Sequence, residues 1–306
     1  MRAYLARRLF LLVPTLFGVT LATFLMLRLT PGDPVQIMLG EFASRERVLE
    51  LRRELGLDRP LVVQYLRFAE RVVRGDLGTS IRSRRAVSDE IRDRLPATVT
   101  LTLAAMTLAV SVGVPVGVAA ATTTRPTVDS AAMAFALLGL SMPTFWSGLL
   151  LILLFSLKLG WFPITQAEGL RALVLPAATL AAPASAVLAR ITRSSMLEVL
   201  RHEYVRTARS KGLAERLVVY RHALRNALIP VLTIIGLQFG SQLAGAVIVE
   251  SVFARPGLGR LAVNAILARD FPVVQGIVLV VAVLYVFVNL TVDVLYAGLD
   301  PRIRYR

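Results

Sequence analysis

Arg206, Arg209 and Lys211 fall within six positions of "EYVRTARSKGL" (203–213), between two long apolar runs. Side chains of this type hold anions, either carboxylates on a protein partner or lipid headgroup phosphates. Bond-making groups are scarce. The chain has no cysteine, which excludes a thiolate nucleophile, a thiolate metal site and a disulfide framework. His202 and His222 are too few and wrongly spaced for a His-based metal site. There is no G-x-x-x-x-G-K-S/T phosphate loop, no H-E-x-x-H and no G-x-S-x-G. No catalytic residue, metal site or nucleotide site is expected on this chain.

A second group of residues offers hydrogen bonds inside apolar surroundings. Gln238, Ser241, Gln242 and Gly245 are spaced to share one helical stripe. Ser141, Thr144 and Ser147 follow Gly139 and flank Pro143, and Asn289 stands in the last apolar run. Such groups line a polar pathway, and they also glue membrane helices together. Spacing alone leaves both readings open. Charge at membrane depth is costly and usually functional. Here Arg190, Glu250 and Asp293 lie only near the ends of apolar runs. That scarcity speaks against a membrane enzyme and for a conduit.

The elements that position these residues are membrane spans. The chain is 306 residues long, 18% charged, with mean hydropathy +0.65, against about 25% charge in soluble domains. Several runs reach the roughly 20 residues that cross a bilayer as a helix. The fold class expected is an all-α polytopic membrane protein with six spans. The first covers about 9–27, behind Arg2, Arg7 and Arg8. The others cover about 97–122, 130–157, 172–191, 229–249 and 273–296. Six spans with both ends cytoplasmic put the basic segments 123–129, 193–228 and 298–306 inside, as the positive-inside rule requires. The net charge of +15 is met by these loops without invoking nucleic acid. Residues 29–95 mix arginines with acids and read as a folded extracytoplasmic insert. The organisation is therefore 1–95 (first span and insert), 96–300 (core, with loop 193–228) and 301–306 (tail).

Read as a helix, 201–213 places Val205, Ala208 and Gly212 on one face and Arg206, Arg209 and Leu213 on the other. Ala208 and Gly212 leave a notch where another backbone can approach. Gly212 also suits a left-handed helix end. A basic loop resting on headgroups and a docking helix for a cytoplasmic partner both fit.

Several stretches resemble a known family. They are "EYVRTARSKGLAERLVVYRHALRNALIPVLT" (203–233), "LTPGDP" (29–34), "RGDLGTSIRSRRAVSDEIRDRLPATVTLT" (74–102), "VESVFARPGLGRLAVNAILARDFPVVQG" (249–276) and "VDVLYAGLDPRIRYR" (292–306). In order and spacing they resemble B-type permease subunits of the dipeptide/oligopeptide/nickel ABC importers, the glutathione-importing members especially. The general family loop motif is Glu-Ala-Ala, three residues, Gly, nine residues, then Ile-x-Leu-Pro. Aligned on Gly212, Arg206 and Thr207 take the Glu and first Ala positions, and Ala208 and Leu224 match. His222 and Arg225 replace Ile and Pro, as in the peptide-permease version.

The resemblance implies a type I importer (MetI-like) permease core, with the N-terminal helix and insert added. It implies that Arg206, Thr207, Ala208, Arg209, Lys211 and Gly212 couple to an ATPase. It further implies a C-type permease as heterodimer partner, two ATPase subunits carrying ATP and Mg, and an extracytoplasmic solute-binding protein. The cargo implied is short peptides or glutathione, with nickel complexes an alternative within the family. A channel or scaffold without ATPases is the reading from another class.

Overall fold

The computed structural model describes residues 2–29, 35, 44–54, 56–163 and 169–299. The 30–34 part of "LTPGDP" and the tail 301–306 lie outside them. The described elements are helices α1 (Arg2–Leu29), α2 (Arg45–Glu54), α3 (Leu61–Val73), α4 (Val87–Thr122), α5 (Pro126–Ser141), α6 (Thr144–Lys158), α7 (Arg171–Val199), α8 (Glu203–Ser210), α9 (Glu215–Val252), α10 (Leu258–Leu267) and α11 (Phe271–Leu299). Four of them, α4, α7, α9 and α11, are long and apolar enough to cross a membrane, and α5 with α6 makes a fifth when the bent pair counts as one span. α1 contains a shorter apolar stretch, Val13–Met26.

Three boundaries differ from the sequence expectation. α4 begins at Val87, ten residues before the expected span, and runs through Pro96. Its 36 residues extend about 54 Å, well beyond the ~30 Å hydrocarbon core. The last part of the expected insert is therefore the first turns of this helix. The expected span 130–157 is two helices bent by 104° between Ser141 and Thr144. Pro143 has no N–H to give and disfavours the helical conformation before it, and Met142 is extended at φ −81°, ψ 128°. α7 continues beyond residue 191 to Val199, taking Arg193 into the helix.

The chain forms two compact units. One comprises Pro96–Arg260 and the residues from Phe287 onward. Its core is built on α7, where Leu175, Ala177, Leu180, Ala181, Ala184 and Leu188 are buried with Leu101, Ala105 and Ala109 of α4 and Val231, Ala246 and Val249 of α9. Small residues bring the backbones together. A Cβ on Gly113 would stand 2.6 Å from the Ser185 carbonyl, and one on Gly117 would stand 2.5 Å from the Ala189 carbonyl. Gly113 and Gly117 are a G-x-x-x-G pair, the spacing that lets membrane helices approach to backbone contact. Gly139 of α5 faces Ala182 and Ala186, and Gly148 of α6 faces Thr179. α7 thus touches α4, α5, α6 and α9.

At the end of α9 in the same unit, Glu250 is fully buried. It accepts hydrogen bonds from Thr98 Oγ1 (2.5 Å), Gly259 N (2.7 Å) and Arg260 N (3.2 Å), while Leu258 N donates to Thr98 Oγ1 (2.8 Å). The carboxylate and the hydroxyl together satisfy the first N–H groups of α10, where an anion is favoured.

The second unit comprises Arg2–Leu95 and Leu261–Val286. Tyr65 of α3 packs edge-on against Phe17 and Phe24 of α1, and its hydroxyl lies 2.9 Å from Thr20 Oγ1. Buried Asp270 accepts from Ser80 Oγ (2.5 Å), Ile81 N (3.1 Å) and Arg82 N (3.2 Å). It thereby anchors the turn closed by the bridge between Thr79 and Ala86.

Candidate coupling site

α8 forms as the sequence indicates, and its C-terminal end is a Schellman motif. The Leu213 N–H donates to the Ala208 carbonyl (3.4 Å) and the Gly212 N–H to the Arg209 carbonyl (2.9 Å). Gly212 sits at φ +75°, in the left-handed region that residues with a Cβ resist. A Cβ there would meet nothing within 4 Å. Glycine is therefore required for the bend of the backbone and not for space.

The small face of α8 is occupied by the chain itself. Val205 is fully buried and Ala208 is 7% exposed, packed with Val218, Leu200 and Leu213. On that face Val218 of α9 covers Val205 and Ala208, while Gly212 stays exposed. Sequence periodicity separates two faces but does not say which one turns inward. The outward side carries Arg206, Thr207, Arg209, Ser210 and Lys211, all exposed. Arg206 approaches Glu203 (3.4 Å), and Thr207 Oγ1 donates to the Glu203 carbonyl (3.0 Å). Arg209 binds Glu215 through two nitrogens, at 3.0 and 2.6 Å. Those hydrogen bonds hold the Glu215 carboxyl below its usual range and raise the Arg209 guanidinium. Glu215 lies at the start of α9, whose 38 residues run about 57 Å, longer than the hydrocarbon is thick, and Glu215, Arg216, Arg221 and Arg225 make this the charged end that belongs outside it.

One side-chain hydrogen bond ties α8 to α9, and two further contacts tie α7 to its neighbours. Asn226 Nδ2 donates to the Tyr204 hydroxyl (2.7 Å), tying α8 to α9. Ser195 Oγ of α7 donates to the Ala227 carbonyl of α9 (2.9 Å) in a buried contact. Arg193 of α7 clasps Asp129 of α5 with Nε–Oδ1 and Nη2–Oδ2 both at 2.5 Å. Motif and periodicity do not single out Asp129 and Arg193. Their signal is topological: opposite charges just outside the same end of two successive apolar runs.

The polar residues of the apolar runs differ in exposure. Ser141 is exposed at the end of α5 and donates to the Leu137 carbonyl (2.9 Å). Thr144 opens α6, half-buried, and accepts at its carbonyl from Ser147 Oγ (2.9 Å). Both therefore sit at the helix break. On α9, Gln238 is half-buried and Ser241 exposed, but Gln242 is 3% exposed, inside its own chain. Asn289 is half-buried on α11. Among the described residues no cluster of three or more His, Cys, Asp or Glu side chains could hold a metal ion.

This arrangement sets a short surface helix against the ends of α7 and α9. The "Binding-protein-dependent transport system inner membrane component" family matches residues 113–305, and its N-terminal counterpart matches 1–102. The di/tripeptide transport system permease protein DppB of Pseudomonas aeruginosa (strain UCBPP-PA14) is 46% identical, covering 100% of both chains. The glutathione transport system permease protein GsiC is 46% identical in Salmonella paratyphi A (strain ATCC 9150 / SARB42) and 44% in Escherichia coli (strain K12), each covering 99% of both chains. Among solved structures, the inward-facing MetNI methionine ABC transporter superposes with a TM-score of 0.58 at 17% identity, over 69% of this chain and 96% of that one. An amino acid ABC transporter with histidines gives 0.51 at 22%, over 70% and 94%. The fold is that of an ABC importer permease, and the chain belongs to the family of binding-protein-dependent transport system inner membrane components.

Proposed function

We propose that this chain is one of two permease subunits of an ABC importer for short peptides or glutathione. It crosses the cytoplasmic membrane six times with both ends inside. ATP and Mg act on two separate ATPase subunits, and a binding protein delivers cargo from outside. The chain itself performs no chemistry. The observation that carries the reading is α8: a capped helix, buried at Val205 and Ala208 and basic on its outer side, bonded to α9 through Tyr204 and packed on Leu200 at the end of α7. α8 is therefore the ATPase-docking helix, and Arg206, Thr207, Arg209 and Lys211 make the contact. Ala208 and Gly212 shape the helix from behind. The names of the relatives favour peptide or glutathione cargo. Ser141 and Thr144, at the break between α5 and α6, with Gln238, Ser241 and Asn289, supply the polar lining. Irregular backbone at membrane depth belongs where it faces protein or a cavity.

The test is co-expression with cognate ATPases, the second permease and the binding protein, followed by reconstitution into vesicles. Labelled dipeptides, tripeptides, glutathione and nickel complexes are supplied outside. ATP-dependent accumulation of peptide or glutathione is expected. Accumulation of nickel alone would reassign the cargo, and flux without ATP would make the chain a channel.

A further inference from the structure

We infer that the Asp129–Arg193 ion pair is the positioning contact that carries a displacement of α8 to the broken span α5–α6. The inference rests on the importer reading and adds to it two residues outside the loop that touches the ATPase.

α7 ends at Val199, and residues 200–202 join it to α8. Leu200 packs with Val205 and Ala208, so the joint is filled and α8 moves with the end of α7. Shortly before that end, Arg193 grips Asp129, in the first turn of α5. From there α5 lies along α7 to Gly139, which faces Ala182 and Ala186. Two residues on is Ser141, where the helix breaks. The path from α8 to the break is thus continuous.

The ion pair has a specific place in it. Asp129 is the one ionisable residue of α5. Near the far end of α5, Gly139 meets the Ala182 carbonyl and Ala186 of α7 at close approach. A fork of two parallel N–H···O bonds fixes both the register and the rotation of α5. The pair is also sheltered, with Arg193 30% and Asp129 25% exposed. The Asp129 charge further suits the start of a helix.

The test uses the full complex in vesicles, with Asp129→Asn, Arg193→Gln, Arg193→Lys and the exchange Asp129→Arg with Arg193→Asp. Membrane abundance, binding-protein-stimulated ATP hydrolysis and cargo accumulated per ATP are measured together. Asp129→Asn and Arg193→Gln are expected to lower cargo per ATP about fivefold or more at ordinary abundance, the lower end of usual coupling between sites. Arg193→Lys keeps the charge without the fork and falls between. The exchange restores part of the loss. Unchanged cargo per ATP in the Asn and Gln variants overturns the inference, even with reduced abundance, because the pair then only stabilises. A loss that the exchange does not relieve overturns the direct contact. Failure of the unaltered complex to import anything overturns the importer reading instead.

Discussion

Gly212→Val separates a backbone requirement from a steric one. Gly212 holds φ +75° with nothing within 4 Å of its would-be Cβ. The whole cost of a side chain is therefore conformational, about 1–2 kcal/mol for an ordinary residue and more for a β-branched one. At about 1.4 kcal/mol per factor of ten, the ratio of capped to uncapped α8 ends falls roughly 5–30-fold. Uptake by the reconstituted complex is expected to fall by a similar factor for Val. Gly212→Asn, which tolerates the left-handed region and is a natural helix terminator, is expected to stay near the unaltered rate. Equal damage from Asn and Val would refute the reasoning, because it would mean that a partner needs the empty space beside Gly212. Full uptake by the Val variant would refute any role for the helix end.

Gly117→Leu puts a side chain where the Ala189 carbonyl and Thr192 already stand within 2.6 Å of a Cβ. It is expected to separate α4 from α7 and lower membrane abundance, whereas Gly18→Ala, with nothing within 4 Å, leaves abundance unchanged on an immunoblot. Glu250→Ala strips the acceptor from Gly259 N and Arg260 N. It is expected to cost roughly 2–6 kcal/mol for two unsatisfied donors, read as a lowered Tm in detergent, with Glu250→Gln milder because it keeps one acceptor oxygen. The Arg209–Glu215 pair lowers the Glu215 pKa. Its contribution is complete above the unfolded carboxylate value and is lost as pH falls through the lower folded value. Because the pair is exposed, Glu215→Gln is expected to shift neutral-pH stability by no more than about 1 kcal/mol.

Spans α4, α7, α9 and α11 were legible because an apolar run of sufficient length admits one structure in a bilayer. α8 and its glycine end were legible for local reasons: a short amphipathic repeat and a residue that permits positive φ. The break between Ser141 and Thr144 had its signal in Pro143, but the sequence alone does not distinguish a kink from a sharp bend. α4 starts ten residues before the apolar run, because hydropathy marks the part that fits the hydrocarbon and not where the helix begins. The inward face of α8 was decided by Val218, beyond α8 itself, and no periodicity within 201–213 contains that contact. Gln242 shares its stripe with Ser241, yet one is buried and the other exposed, because neighbouring helices divide the stripe between them. The G-x-x-x-G at 113–117 is readable as a spacing, but only the packing shows that α7 is what it meets. Asp129 and Arg193, 64 residues apart, needed the topology before they could be paired.

The central claim is that the basic outer face of α8 meets the ATPase and not the lipid surface beside it. The chain has no cysteine, so a single thiol at Thr207, on the exposed side, reports on that face without background. The measurement is thiol cross-linking of Thr207→Cys to an ATPase subunit bearing one surface cysteine, in the complete complex, with and without ATP. A cross-linked permease–ATPase species whose yield changes with ATP is expected. Reaction of the introduced thiol with headgroup-anchored maleimide lipids in the assembled complex, with no ATPase adduct in either state, would contradict it.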